Sequence, residues 1–312
     1  MTLGSRPSAV CRLVGSMTAL ACVSLAPPAY SADAPPWLEP YRAPAQQLIA
    51  AARADDFAWR RLAELTDTFG PRLSGSPALE AALAWAATEM KKDGLESVRL
   101  EPVMVPRWVR GRESAEIVQP YPSPLVMLGL GGSVGTGPQG LEAEVLVVGS
   151  FDDLETRAAE AKGRIVFFNV PFTGYGPTVR YRSDGASRAA RHGAVAVLIR
   201  SVGPMGLRTP HTGAMNYAED APKIPAAALS AEDANRLQRI HDRGQRLVVR
   251  LQMEARHEAD APSANLIGEI RGREKPDEIV LLGCHSDSWD PGTGALDDAG
   301  GCIATWDVLR LV

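Results

Sequence analysis

The sequence predicts a mixed α/β protein in which a β-rich domain interrupts an α/β/α core. Three observations favour this class. Apolar residues recur at helical spacing up to about residue 92, and a strand-like alternation follows. From about residue 114, prolines and glycines separate short β-rich runs. An apolar run at 279–284 then has the length and composition of a covered central strand.

The composition limits the classes of function. The chain has 312 residues, enough for about two domains of roughly 150 residues each. Its apolar content of 45% and charged content of 22% are typical of a globular protein. The net charge of −4 provides no basic field, so we expect no nucleic-acid partner.

The N-terminal segment has the order of a secretory signal. Arg6 and Arg12 precede an apolar run at 13–25, and small residues follow. The run is shorter than the roughly 20 residues that a membrane span needs. We therefore predict a signal peptide at 1–32 and an exported protein, periplasmic or secreted. A lipid-modified Cys22 is the alternative to a cleaved signal.

Removing this segment leaves only Cys284 and Cys302. No disulfide framework is needed, and we expect both cysteines to be small buried core residues.

The elements before the interruption follow from local signals. Residues 37–65 have helical spacing, and Ser76 before Pro77 is typical of a helix start. Gly94 ends that helix, and 98–105 alternates like a strand.

The interruption is predicted to be an inserted domain at 114–258. It divides a core domain into residues 33–113 and residues 259–312. Within it we predict strands at 141–149, 164–169, 194–200, 223–229 and 247–253, and helices at 183–192 and 231–243. The core then resumes with strands at 263–272 and 278–284 and an apolar helix at 300–312.

Ionisable residues cluster after the last strand. His285 and Asp287 follow it directly, and alternation places both on one side at its carboxyl end. A glycine-rich loop then returns the chain to Asp297 and Asp298 at a helix start. Gly300 and Gly301 permit a close approach of that helix.

This arrangement is typical of a metal site. Zinc takes imidazole and carboxylate ligands, and a carboxylate has two oxygens that can bridge two ions. Asp287 can hydrogen-bond the second ring nitrogen of His285 and orient it. The alternative is a surface loop with an Asp-rich helix cap, which does not account for the glycines.

Several motifs resemble the zinc aminopeptidase and glutamate carboxypeptidase family. The motifs that carry the resemblance are residues 285–289 (HSDSW), 292–301 (GTGALDDAGG), Trp306, 68–76 (TFGPRLSGS), 106–111 (PRWVRG) and 265–269 (NLIGE). The middle region is similar to the protease-associated domain inserted in those enzymes. The resemblance implies a three-layer α/β/α zinc-exopeptidase domain with that insertion.

The resemblance also implies roles for individual residues. His285 would bind one zinc, Asp287 would be its catalytic orienting partner, and Asp297 would bridge two zinc ions. The peptide bond between Asp297 and Asp298 would be cis. A Glu-Glu pair and a later Asp and His would complete the site beyond Val312, so we expect the chain to be truncated and inactive as it stands.

The implied function is zinc-dependent exopeptidase action on dipeptides or terminal peptide bonds, through a metal-activated water. The partner would be a small peptide substrate, with no membrane span, and a homodimer is left open. An aminopeptidase of the same family is one alternative. A non-catalytic binding homologue or inactive fragment is the other.

Three further features are weighed against simpler interpretations. Arg72 is predicted to be a structural anchor rather than a carboxylate clamp. His211 lies on a loop of the insert that could face the cleft, although an ordinary loop histidine is the default. The glycines at 135–140 fit dinucleotide spacing but precede a strand, which argues against a cofactor site.

Overall fold

A computed structural model describes residues 35–312 of the chain. The predicted signal peptide at 1–32 lies outside the described residues. Within the described part, no helix is long and apolar enough to cross a membrane.

The chain divides into two compact units, residues 1–47 and residues 48–312. The described part of the first holds a 3-10 turn at Pro36–Leu38 and the beginning of helix α1 (Glu39–Ala54). All remaining elements belong to the second unit.

Two helices precede the first strand, α2 (Phe57–Phe69) and α3 (Pro77–Lys92). The predicted start of α3 is confirmed, because the Leu79 backbone N–H donates to the Ser76 hydroxyl at 3.2 Å. Proline suits the first helical position, where its missing N–H would have no partner in the helix.

A two-stranded antiparallel sheet joins β1 (Glu96–Val109) and β10 (Arg256–Glu269). Leu100 pairs with Leu266, and Val103 with Ser263. The strand expected at 98–105 therefore pairs with the strand that resumes after the insertion.

The chain between these two strands builds an eight-stranded sheet. Its strand order is β3-β2-β9-β5-β6-β7-β8-β4, and the pairs from β5 to β8 are parallel. The strands are β2 (Glu113–Gln119), β3 (Ser123–Leu125), β4 (Met127–Gly129), β5 (Leu141–Val148), β6 (Ile165–Phe168), β7 (Ala196–Arg200), β8 (Ala226–Leu229) and β9 (Val248–Met253).

Strand β6 shows how this sheet is covered on both faces. All four of its side chains are buried. Ile165 and Phe167 enter one apolar cluster, and Val166 and Phe168 enter a second. Successive side chains of a strand point to opposite faces, so a strand covered on both sides is apolar throughout.

Helices α4 (Phe151–Thr156) and α5 (Tyr175–Arg191) connect the parallel strands β5, β6 and β7, and α6 (Ala231–Asp242) leads from β8 to the antiparallel strand β9. Helix α6 agrees with its prediction. Helix α5 begins eight residues before the predicted start at 183, because Pro177 in its first turn is compatible with a helix.

The expected buried strand at 279–284 is wrong. These residues form no strand, and Ile279, Val280 and Leu281 are 88%, 88% and 87% exposed. A strand requires a hydrogen-bonded neighbour, and no strand within residues 35–312 pairs with this segment.

The segment after the glycine-rich loop is helical as predicted. A kinked turn at Ala295–Ala299, in which Asp297 and Asp298 have non-helical backbone angles, leads into helix α7 (Gly300–Leu311). Its Trp306 ring packs edge-on against Phe57 of α2 and Trp85 of α3. Helix α7 is thereby anchored in an apolar cluster with α2 and α3.

The expectation of two buried free cysteines is also wrong. Cys284 and Cys302 form a disulfide, with Cα atoms 5.1 Å apart. Cys284 is exposed and Cys302 is half-buried. The apolar residues beside each cysteine had predicted burial. In the structure, the loop between the two cysteines turns back and brings their sulfur atoms together.

Candidate metal centre

The structure brings His285 and Asp297 together. The Nε2 atom of His285 lies 3.0 Å from Oδ1 of Asp297. Two ligands at about 2.0–2.2 Å from one zinc have donor atoms roughly 3–4 Å apart. The spacing of these atoms is therefore compatible with a shared ion.

Asp287 occupies the other side of the same imidazole. Its Oδ1 lies 3.1 Å from Nδ1 of His285, and its backbone oxygen lies at the same distance. This contact favours the tautomer with the proton on Nδ1, which leaves Nε2 unprotonated, with a lone pair available to a metal ion.

The charges around the imidazole shift its pKa. Burial alone would lower the pKa of His285, but the charge and hydrogen bonds of Asp287, aided by Asp297, raise it above the ordinary value. A raised pKa means that protons compete with a metal ion for Nε2 as the pH falls.

The turn at Asp297 has the peptide geometry that the family resemblance implied. The Asp297–Asp298 peptide bond is cis. The Asp298 carboxylate turns back and accepts from the His285 backbone N–H at 3.3 Å. Gly301 leaves space for it, because a Cβ there would lie 2.3 Å from the Asp298 carboxylate.

Arg72 holds the loop that contains these residues. Its side chain is fully buried. The guanidinium donates to the backbone oxygens of Ser286, Gly70 and Thr293 at 2.7–2.9 Å. Its backbone also exchanges two hydrogen bonds with Ser288. The prediction of a structural anchor is confirmed.

Two further contacts, not predicted from the sequence, reach the same loop from the segment after β1 and from the loop after β4. Arg110 makes a bidentate ion pair with Asp290 at 2.6 and 2.7 Å. Trp289 packs on Gly131, where a Cβ would lie 2.0 Å from the ring. Arg110 was part of the family motif at 106–111, but its partner could be identified only from the folded chain.

A cavity of about 210 Å³ opens beside the imidazole. His285, Asp287 and Asp297 line one side of it, together with Ser288 and Trp289. The other lining residues come from the α2–α3 loop, from β1 and from the loop after β4, and they are Leu73, Ser74, Pro106, Trp108 and Gly132.

His211 is close enough to the metal centre for the charge of Asp297 to affect its pKa. Burial and the neighbouring Arg182 lower the pKa of His211, and the charge of Asp297 raises it in part. The Arg182 guanidinium is only 7% exposed and lies 3.4 Å from Nδ1 of His211. Arg182 was missed because it resembles the other arginines of an Arg-rich helix.

The side chains present suit zinc by type. Imidazole nitrogen and carboxylate oxygen are common zinc donors. Within residues 35–312, however, no group of three or more His, Cys, Asp or Glu side chains is placed to hold a metal ion. The described residues thus offer two donors, His285 and Asp297, and one orienting carboxylate.

Replacing Asp287 by Asn tests the electrostatics. We expect the pKa of His285 to fall in the metal-free protein, because the amide retains an oxygen acceptor but loses the charge. The pKa is measured by following the imidazole C–H resonances by NMR during a pH titration. Asp152→Asn, at an exposed position of helix α4, is the control.

Protonation of His285 also changes the stability of the metal-free fold with pH. Because the folded pKa of His285 is raised, its protonation stabilises the metal-free fold below the unfolded value of about 6.5. That contribution disappears as the pH rises through the folded pKa. A His285 pKa that is unchanged or higher in Asp287→Asn would contradict the assignment of Asp287 as the group that raises this pKa.

Replacing Arg72 by Lys tests the anchor. One ammonium group cannot reproduce the planar fork that serves several carbonyl oxygens at once. We expect a loss of roughly 2–4 kcal/mol in the free energy of unfolding, measured by urea denaturation. Arg273→Lys, at an exposed turn, is the control, and equal stability of the two variants would refute the anchoring role.

Two family profiles match the sequence. The profile of Peptidase family M28 matches residues 265–312, and that of the PA domain matches residues 125–237. The first match contains His285, Asp287 and Asp297. The second falls within the segment that builds the eight-stranded sheet.

The curated relatives include carboxypeptidases Q. The protein of Bos taurus is 48% identical over 265 residues, which is 85% of this chain and 56% of that protein. The protein of Homo sapiens is 46% identical over the same shares of the two chains. This chain therefore spans little more than half the length of the curated relatives that it matches.

Solved structures agree in fold. A peptidase M28 precursor from Shewanella amazonensis superposes with a TM-score of 0.81 at 39% identity, covering 85% of this chain and 61% of that chain. A zinc aminopeptidase from Bacillus subtilis gives 0.59 at 22% identity, covering 82% and 57%, which is a likeness of fold alone. The predicted fold class is confirmed, and the chain matches Peptidase family M28 at residues 265–312 and the PA domain at residues 125–237, which lie between the two strands of the β1–β10 sheet.

Proposed function

We propose that this protein is a zinc-dependent exopeptidase that hydrolyses dipeptides or terminal peptide bonds. The observation that carries the proposal is the position of Asp297 Oδ1, 3.0 Å from His285 Nε2, beside a cavity. The match to Peptidase family M28 and identity of nearly one half to carboxypeptidases Q support the same activity.

In this proposal His285 and Asp297 are the zinc ligands of the described residues. Asp297 has two carboxylate oxygens and is therefore suited to bridge a pair of ions, as the family resemblance implies. Bound zinc would supply Lewis-acid polarisation of the scissile carbonyl group.

The chain's own residues prepare that centre. Asp287 holds the Nδ1 proton of His285 and directs Nε2 towards Asp297. Arg72 holds the backbone directly after His285, because its guanidinium donates to the backbone oxygen of Ser286. Such preorganisation lowers the cost of ordering ligands when a metal binds.

A terminal carboxylate of the substrate has a candidate partner in Arg182. The guanidinium donates to Ala214 O at 3.2 Å, Thr212 O at 3.3 Å and Tyr175 Oη at 2.8 Å. Within residues 35–312, no carboxylate lies at ion-pair distance from it. A buried guanidinium without a carboxylate favours an anionic ligand, because burying an unpaired charge is costly.

This argument favours carboxypeptidase action over the aminopeptidase alternative. The link to the metal centre is His211, which contacts Arg182 and responds to the charge of Asp297. A substrate bound between these groups would place its carboxylate at Arg182 and its scissile bond towards Asp297.

Export is proposed as the location. The order of residues at 1–32 is that of a secretory signal. The Cys284–Cys302 disulfide supports the same location, because disulfides persist in oxidising compartments such as the periplasm and the cell exterior.

The metal ligands are tested by His285→Ala and Asp297→Asn. In the full-length protein, we expect each variant to lose at least about tenfold in zinc affinity and to lose hydrolysis of dipeptides. Zinc content by elemental analysis and the hydrolysis rate at saturating zinc measure the two effects.

His241→Ala, on polar helix α6, is the matched control and should retain both properties. Wild-type zinc content and turnover in His285→Ala would show that the site is elsewhere. Turnover without zinc in the wild-type protein would reject the metallopeptidase assignment.

The substrate carboxylate is tested by Arg182→Met. We expect KM to rise about tenfold or more for peptides with a free C-terminus, because a hydrogen-bonded charge pair is lost. Peptides with a C-terminal amide should be affected much less.

Arg180→Met, at an exposed position of the same helix, is the control. If Arg182→Met changes KM equally for free and amidated peptides, Arg182 does not recognise the carboxylate. Preference of the wild-type protein for amidated peptides with a free N-terminus would favour the aminopeptidase alternative.

A further inference from the structure

The disulfide lies beside the proposed metal ligands in the sequence. Cys284 immediately precedes His285, and Cys302 lies in the first turn of α7, after Asp297 and Asp298. The bond therefore joins the two segments that supply the proposed ligands. It closes a loop with a sequence separation of 18 residues.

Cys302 belongs to a rigid element. Ile303 and Trp306, on the same helix, are each 2% exposed and pack against α2 and α3. The disulfide therefore attaches the backbone before His285 to a packed helix rather than to another loop.

Cys284 belongs to a segment with few other contacts. The preceding residues 279–283 are exposed and form no strand. On the far side of His285, Arg72 holds the oxygen of Ser286. The ligand is thus held on one side by hydrogen bonds and on the other by a covalent bond.

The closed loop is intrinsically flexible. Between Cys284 and Cys302 it contains four glycines, Gly292, Gly294, Gly300 and Gly301. Glycine has more accessible backbone conformations than any other residue. A cross-link removes many of these from the ensemble of the open loop.

We propose that the Cys284–Cys302 disulfide is a positioning element, which holds His285 beside Asp297 so that both can bind one metal ion. This inference rests on the proposed function for the identity of the metal. It assigns the cysteines no part in the chemistry itself.

The test compares the protein with its Cys284→Ala/Cys302→Ala variant. Variants are preferable to reducing agents, because dithiols bind zinc and would compete with the site. Zinc affinity is measured by competition with a chromophoric chelator. Hydrogen exchange of the 285–299 amides is measured by mass spectrometry, at a temperature where both proteins are fully folded.

We expect the double variant to bind zinc about tenfold or more weakly and to exchange its 285–299 amides at least about tenfold faster. Leu237→Ala, in a fully buried position of α6, is the matched control for lost stability. It should lower the unfolding temperature while leaving zinc affinity and 285–299 exchange unchanged.

Three results would overturn the proposal. The first is zinc affinity and 285–299 exchange in the double variant within twofold of the wild type. The second is an equal loss of zinc affinity in Leu237→Ala, which would indicate general destabilisation. The third is labelling of Cys284 and Cys302 by a thiol reagent in the unreduced, denatured protein.

The exchange measurement also separates this inference from the proposed function. If the wild-type protein binds no zinc, the zinc assignment fails. The exchange rates of 285–299 then still decide whether the disulfide positions the loop.

Discussion

The geometry of the site depends on the burial of one guanidinium group. Arg72 is fully enclosed, and burial lowers its pKa, an effect that the charge of Asp287 opposes in part. Its donors are directed at backbone oxygens on both sides of the turn, those of Ser286 and Thr293. Without these bonds a glycine-rich loop would have no fixed path. With them, the backbone at Ser286 and at Thr293 is held against one buried side chain.

The segment after β1 and the loop after β4 contribute a second constraint on the same loop. The ion pair between Arg110 and Asp290 is largely shielded from water, so its electrostatic interaction is stronger than that of an exposed pair. Glu113 lies against the same guanidinium, and burial raises the pKa of that carboxyl group although Arg110 lowers it in part. Trp289 fills the space left by Gly131. These contacts hold a loop that lines the cavity with Ser288 and Trp289.

Local signals predicted most helices and strands, whereas long-range pairing was not predictable. Ser76 and Pro77 indicated the start of α3 because capping depends only on neighbouring residues. The run 279–284 has strand composition, but a strand also needs a partner, and composition does not supply one. The Cys284–Cys302 bond depends on the path of the loop between them. The contact of Asp290 with Arg110 spans 180 positions, a separation that no periodicity reveals.

The balance of charge around His285 supports a cation at the site. Three carboxylates contact His285: those of Asp287 and Asp297 lie at its imidazole, and that of Asp298 accepts from its backbone N–H. Arg72 offsets one of these charges but points its donors at carbonyl oxygens. Like charges at short range repel, and proton uptake by His285 relieves this repulsion only in part. A divalent cation between Asp297 and His285 would offset two charges at once. The raised pKa of His285 and a preference for zinc would then have the same electrostatic origin.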